Sequence, residues 1–156
     1  IRRTGDDARL DSVHLAMLPQ AEGAAPSEEQ VEQWRMVMDL RDQALAQLDA
    51  LKKEAGLNKA LDAEVIYQVD DAELRRGLEA WGPDLEDLVG AGFHSFAEKS
   101  AESPAVTVKV VDRRQTYQAC ARSWKRRPDV GGDAEYPDLS ARDAAAVRAC
   151  GGTVRP

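Results

Sequence analysis

Apolar residues recur at Val31, Trp34, Met38, Leu45 and Leu48, with a flanking row at Val37, Leu40, Ala44, Leu51 and Ala55. Steps of three, four and seven place both rows along one side of a helix. The pattern predicts a helix over about 27–55. Ser27 and Gln30 stand as N-cap and N3 of a capping box, and Glu28 and Glu29 suit the positive helix end. Lys52 and Lys53 suit the other end, and Gly56 supplies the stop. Such a helix is about 40 Å long at 1.5 Å per residue. Its wide apolar stripe needs covering by the unit that follows or by polypeptide upstream.

From Ala63 the period changes to two. Ala63, Val65, Tyr67 and Val69 alternate with Glu64, Ile66 and Gln68, which predicts a strand. Asp70 and Asp71 can cap a short helix marked by Leu74, Leu78 and Trp81 and closed by Gly82-Pro83. Leu85, Leu88 and Val89 fit more than one element. Gly92–Phe96 reads as a second strand, Glu98–Pro104 as a turn, and Val106–Val111 as a third strand. Trp34, Trp81 and His94 are read as core residues, the tryptophans because they sit on helical stripes. Gln115–Leu139 is a long irregular segment. Arg142–Cys150 forms a last helix ended by Gly151-Gly152, and 153–156 should fray.

The fold class expected is therefore α+β, a long helix packed with a small mixed unit and a C-terminal loop. The expected divisions are 1–62, 63–112 and 113–156. Ahead of the long helix, 1–10 is polar and should be loose, and Asp11–Pro19 is an apolar run that holds His14, read as packed. Ala24, Ala25 and Pro26 close a small-residue connector.

Composition narrows the function. Of 156 residues 43% are hydrophobic and 31% charged, which is a globular balance and not a disordered one. No apolar run nears the roughly 20 residues that span a bilayer, so a membrane role is not expected. The chain opens on Ile1 without the apolar core of a secretory signal, and is expected to be a piece of something longer. Two cysteines, Cys120 and Cys150, suit free thiols in a reducing cytosol, with a Cys120–Cys150 bridge as the other arrangement. There is no Ser-His-Asp set, catalytic carboxylate pair or glycine-rich phosphate loop.

The charge distribution is uneven. Net charge is −7, yet Arg113, Arg114, Arg122, Lys125, Arg126 and Arg127 fall within fifteen residues that contain no Asp or Glu. A basic island around Trp124 suits RNA: cations neutralise phosphates and the indole stacks on a splayed base. The competing reading buries Trp124 as the plug of the loop and pairs the cations with the protein's own acids.

Four passages resemble the C-terminal end of bacterial-type isoleucyl-tRNA synthetase, a class I aminoacyl-tRNA synthetase. They are Ser12-Val13-His14-Leu15; Trp34–Leu61 with Arg41, Ala44 and Leu45; Leu61–Val65; and Trp124, Arg127–Gly131 and Pro137-Asp138-Leu139. The resemblance implies that 1–62 ends a helical anticodon-binding domain and that 113–156 is a knuckle reaching the anticodon. It further implies that Arg122 and Trp124 contact tRNA(Ile), with Lys125, Arg126 and Arg127 serving the RNA backbone beside them; Arg113 and Arg114, from the same basic island, are also expected to bind the tRNA. DNA is not an expected partner; the upstream domains of the synthetase are.

In that family the knuckle holds zinc on four cysteines. Here the ligand positions fall on Cys120, Ser123, Ser140 and Asp143, and serine hydroxyls are poor zinc ligands, so bound zinc is not expected. Packing of Trp124, the fixed φ of Pro128 and Pro137, and pairing of Asp129 or Asp138 with arginines would shape the loop instead. ATP and Mg belong to the family's catalytic core, whose His-x-Gly-His and Lys-Met-Ser-Lys-Ser motifs are not in this sequence. The function expected is a non-catalytic tRNA-holding part of a cytoplasmic isoleucine–tRNA ligase. The alternative is a free-standing RNA-binding or protein-interaction domain derived from one.

Overall fold

The computed structural model describes residues 23, 25–98 and 105–151. The readings of 1–22, including His14, and of most of the turn before Pro104 and of the last residues lie outside these. The chain divides into two compact units, 1–32 and 33–156. In the first, the capping box forms as expected: Gln30 N–H donates to Ser27 Oγ at 3.2 Å and Ser27 N–H to Gln30 Oε1 at 2.8 Å. They start α1, Glu28–Ala55, a helix of 28 residues.

Within the second unit, a short 3-10 turn (Ala60–Asp62) leads into β1 (Ala63–Val69), α2 (Ala72–Glu79), α3 (Asp84–Asp87), β2 (Phe93–Ala97) and β3 (Val106–Asp112). The architecture is α+β, and its three-stranded sheet has the order β2-β1-β3. β1 runs parallel to β2, with Val65 opposite His94, and antiparallel to β3, with Val65 opposite Val110. A parallel pair needs a crossover, which α2 and α3 supply. Asp71 caps α2 by accepting from the N–H groups of Glu73 and Leu74.

β1 is central, and Val65, Tyr67 and Val69 are all buried. They share one core with Val37, Leu40, Ala44 and Leu48 of α1, with Leu57, Leu78 and Leu85, and with Val106, Val108 and Val110 of β3. Each fully buried leucine in that core contributes on the order of 1.5–3 kcal/mol. The Gln47 side chain closes the outer edge of β3 like a short strand: it donates to the Val108 carbonyl at 2.7 Å and accepts from Val110 N–H at 2.9 Å. That satisfies an edge that would otherwise invite pairing with another chain.

One core assignment needs correcting, that of Trp34, whereas Trp81 packs against the core from its edge. Trp34 is 47% exposed and Trp81 only half-buried. The helix stripe is wider than the sheet it meets, so Val37, Leu40, Ala44 and Leu48 take the core face and Trp34 is left at its margin. His94 is half-buried and is held by a polar contact, 3.1 Å from Glu86 Oε2.

The C-terminal segment adds a two-stranded ribbon, β4 (Gln118–Ala119) with β5 (Arg126–Arg127), and α4 (Ala141–Ala149), after which Gly151 turns the chain at φ 79°. Its small core is Cys120, Val130, Leu139, Ala144 and Val147, with Tyr136 packed against it. Among the described residues no helix is long and apolar enough to cross a membrane.

Candidate nucleic-acid interface in the C-terminal segment

The ribbon β4–β5 pairs Gln118 with Arg127 and Ala119 with Arg126, so Cys120–Lys125 form its connecting turn. Cys120 N–H donates to the Lys125 carbonyl at 3.0 Å, Trp124 N–H to the Cys120 carbonyl at 2.8 Å, and Ala121 N–H to the Asp138 carbonyl at 2.9 Å. These bonds fix the turn, and they are closed by Trp124 at φ 61°, the one non-glycine residue with positive φ among those described. A bulky side chain in the left-handed region costs on the order of 1 kcal/mol or more, a strain that persists only where surrounding bonds hold it. The consequence is an indole projected from the tip of the ribbon, 66% exposed.

Trp124 is thus not the plug of the loop. That role falls to Cys120 and the apolar residues around it, and the indole has no ring or cation partner among the described residues. Arg122, two residues away, is exposed and has no hydrogen-bond or ion-pair partner among the described residues.

The other five cations of the basic island are engaged. Arg113 donates to Glu64 at 2.6 Å and lies over the Tyr117 ring at 5.1 Å. Arg114 pairs with Asp112 at 2.8 Å and donates to the carbonyls of Ala55 and Gly56 at 2.7 and 3.0 Å, capping the end of α1. Lys125 reaches Glu86 at 2.9 Å and Asp87 at 2.6 Å. Arg126 pairs with Asp62 and donates to the Tyr117 carbonyl at 2.9 Å. Arg127 bonds Glu86 at 2.7 Å and Asp129 at 3.3 Å, and sits 5.1 Å from the Phe93 ring centre. An acid-free stretch of sequence therefore finds its counter-ions in distant elements, through Asp62, Glu64 and Glu86.

Glu86 is the hub of that docking. Burial would raise its carboxyl, but His94, Lys125 and Arg127 outweigh burial and hold it at about 2. Burial would likewise depress the Lys125 ammonium, and its bonds to Asp87 and Glu86 keep it above the ordinary lysine range instead. Glu64 is the second buried acid; it accepts from Arg113 and from the Ser95 hydroxyl. Sequence reasoning missed both, because each stands in a strand or helix pattern where a lone acid reads as the solvent side.

The four positions Cys120, Ser123, Ser140 and Asp143 do converge. The Cys120 thiol donates to Asp143 Oδ2 at 3.1 Å and the Ser140 hydroxyl to the same oxygen at 3.0 Å, while Ser140 N–H points to Cys120 Sγ at 3.4 Å. Burial would raise the Asp143 carboxyl; the bonds from Cys120 and Ser140, aided by Ser123 and the charge of Arg122, lower it instead. Ser123 acts there through proximity, since its Oγ is buried without a formed hydrogen bond. This donor set does not fit structural zinc. It offers one sulfur, engaged in a hydrogen bond to Asp143, beside two hydroxyls and one carboxylate, whereas structural zinc takes thiolates or imidazoles. Among the described residues no group of three His, Cys, Asp or Glu is placed to hold a metal.

Asp129 shapes the loop as expected, accepting from Arg127 and from Ala141 N–H at 2.9 Å. Asp138 acts through its backbone carbonyl. Cys120 and Cys150 are free thiols, the first buried and the second exposed.

The C-terminal segment therefore holds an exposed aromatic and an exposed arginine on the turn of its ribbon. Comparison with known proteins is more specific. No protein-family model matches the chain. It is 33% identical over 123 residues to an isoleucine–tRNA ligase of Brucella abortus biovar 1, covering 75% of this chain and 12% of that protein. A similar likeness links it to the isoleucine–tRNA ligases of Agrobacterium fabrum, at 30% over 88% of this chain and 15% of the relative, and Mesorhizobium japonicum, at 32% over 92% and 16%.

The chain is accordingly homologous to a segment of an aminoacyl-tRNA synthetase. Its relatives are isoleucine–tRNA ligases, which are enzymes, and it spans 12–16% of the length of those it matches.

Proposed function

We propose that this chain is the tRNA-holding C-terminal part of a cytoplasmic isoleucine–tRNA ligase, with Trp124 and Arg122 at the anticodon end of tRNA(Ile). The observation that carries this reading is the pairing of an exposed, conformationally held indole with an exposed arginine that makes no hydrogen bond or ion pair among the described residues, in a relative of tRNA ligases. An indole in that position can stack on an unpaired base, worth roughly 1–3 kcal/mol, and the guanidinium can take a neighbouring phosphate. Ligation of isoleucine, with its ATP and Mg, would belong to the remainder of the synthetase, which would also be this segment's covalent neighbour.

Of the seven residues put forward from the sequence, Arg122 and Trp124 are proposed to touch RNA. Arg113, Arg114, Lys125, Arg126 and Arg127 are proposed to position them, because their charges are spent on Glu64, Asp112, Glu86, Asp87, Asp62 and Asp129.

The test is a salt titration of binding to tRNA(Ile) and to an unrelated tRNA. Six phosphate-bound cations would give a log–log slope of about −4 on a single strand, and one would give about −0.7. A slope near −1, with preference for tRNA(Ile), is expected. Absence of binding, or equal affinity for both tRNAs, overturns the proposal.

A further inference from the structure

Trp34 and Trp81 face each other at the margin of the core, with ring centres 5.5 Å apart and planes tilted by 31°. With Asp84, Asp87 and Leu88 they line an open cleft of about 390 Å³. Two indoles and two carboxylates around one space are the chemistry that recognises an organic cation, since ring faces and carboxylates both attract positive charge.

Two cations beside this cleft are engaged elsewhere or from outside it. Arg41 is turned to the Leu88 carbonyl at 3.1 Å and to Asp42. Lys125 takes Asp87 from the side of Glu86. Asp84 is held beside the indole by its N–H, which donates to the Trp81 carbonyl at 3.1 Å, and its carboxylate has no partner among the described residues.

We propose that this cleft receives an arginine side chain of a polypeptide partner, its guanidinium stacked on Trp34 and bonded to Asp84. Arginine suits it better than lysine, because a planar fork can lie on an indole and meet a carboxylate with two N–H groups. The partner is polypeptide because a second groove of about 160 Å³, lined by Met36, Leu74 and Gly77, shares Trp81 with the cleft and offers room for neighbouring side chains. Gly77 has open space where a side chain would stand, which leaves room for the apolar neighbours of the arginine. Nucleic acid is disfavoured there: Asp84 and Glu73 on the rims repel phosphate.

The indole N–H signals of the full 156-residue chain, followed by nitrogen-edited NMR, test this directly. The probe is a blocked peptide Ala-Leu-Arg-Leu-Ala, against the same peptide with citrulline, which keeps the shape and removes the charge. Saturable shifts of the Trp34 and Trp81 signals are expected, with Trp124 unmoved. Affinity should fall about tenfold with citrulline and about as far in Asp84→Asn, which leaves the backbone N–H in place. Equal curves for the two peptides, undiminished affinity in Asp84→Asn, or no saturable shift of those two signals each overturn the proposal. So does saturation of the same two signals by a single-stranded oligonucleotide.

Discussion

Arg127 reaches across 41 residues of sequence to bond Glu86 at 2.7 Å, and Glu86 is 1% exposed. With Lys125 on the same oxygen and His94 on the other, a single buried carboxylate holds the C-terminal segment against α3. Removing one partner of such a buried cluster leaves charge uncompensated and costs about 3–5 kcal/mol. Glu86→Ala is expected to destabilise the chain by that amount in urea unfolding.

The same carboxyl sets a pH dependence. Held at about 2 in the folded protein against an ordinary 4.5, its contribution is complete above about pH 4.5 and is lost as pH falls through 2. The loss attributable to Glu86 is on the order of 3 kcal/mol. Glu86→Gln should be less stable than the parent near pH 6 and should lose less on acidification. Parallel falls in the two proteins would show that Glu86 is not the group responsible.

Gly92 marks where the start of β1 and the C-terminal ribbon approach β2. A Cβ there would strike the Leu61 carbonyl and stand 2.9 and 3.0 Å from the backbone N and O of Arg126. Since backbone cannot rotate away, Gly92→Ala should cost about 2 kcal/mol or more. Gly90→Ala is the comparison: φ is 73° there but nothing crowds the site, so about 1 kcal/mol is expected. Urea midpoints of the two variants check the order.

Much of this arrangement is legible in the amino-acid sequence. The periodicity of α1, its capping box, the switch to period two at Ala63 and the turn at Gly151 follow from local chemistry, and local chemistry is what a sequence displays. Partner choice is not local. The fifteen acid-free residues look like a free basic face, and only the long-range placement of Asp62, Glu64 and Glu86 shows four of the six cations committed to the fold, with Arg114 held by the neighbouring Asp112. Trp34 fails for a similar reason: a stripe tells which side of a helix is apolar, not how much of that side the sheet covers.

Asp143 gathers the four positions that zinc would take. Its oxygen receives the Cys120 thiol and the Ser140 hydroxyl, while Asp143 N–H returns to Ser140 Oγ at 3.3 Å at the start of α4. Asp143→Ala should cost about 1–3 kcal/mol by leaving buried donors unpaired. Elemental analysis of the purified protein is expected to find zinc well below one per chain. A value near one would overturn the reading that hydrogen bonds hold this loop.

Trp124 separates stability from binding. At 66% exposure its indole adds little to the core, but its φ of 61° imposes a backbone strain that glycine does not feel. Trp124→Gly should therefore be more stable than Trp124→Ala by about 1 kcal/mol, while both lose the stacking surface and bind tRNA(Ile) about tenfold or more weakly. Thermal melts and filter binding on the same preparations decide it. If both variants melt far below the parent, the indole is part of the packing after all; if both keep parental affinity, it does not face RNA.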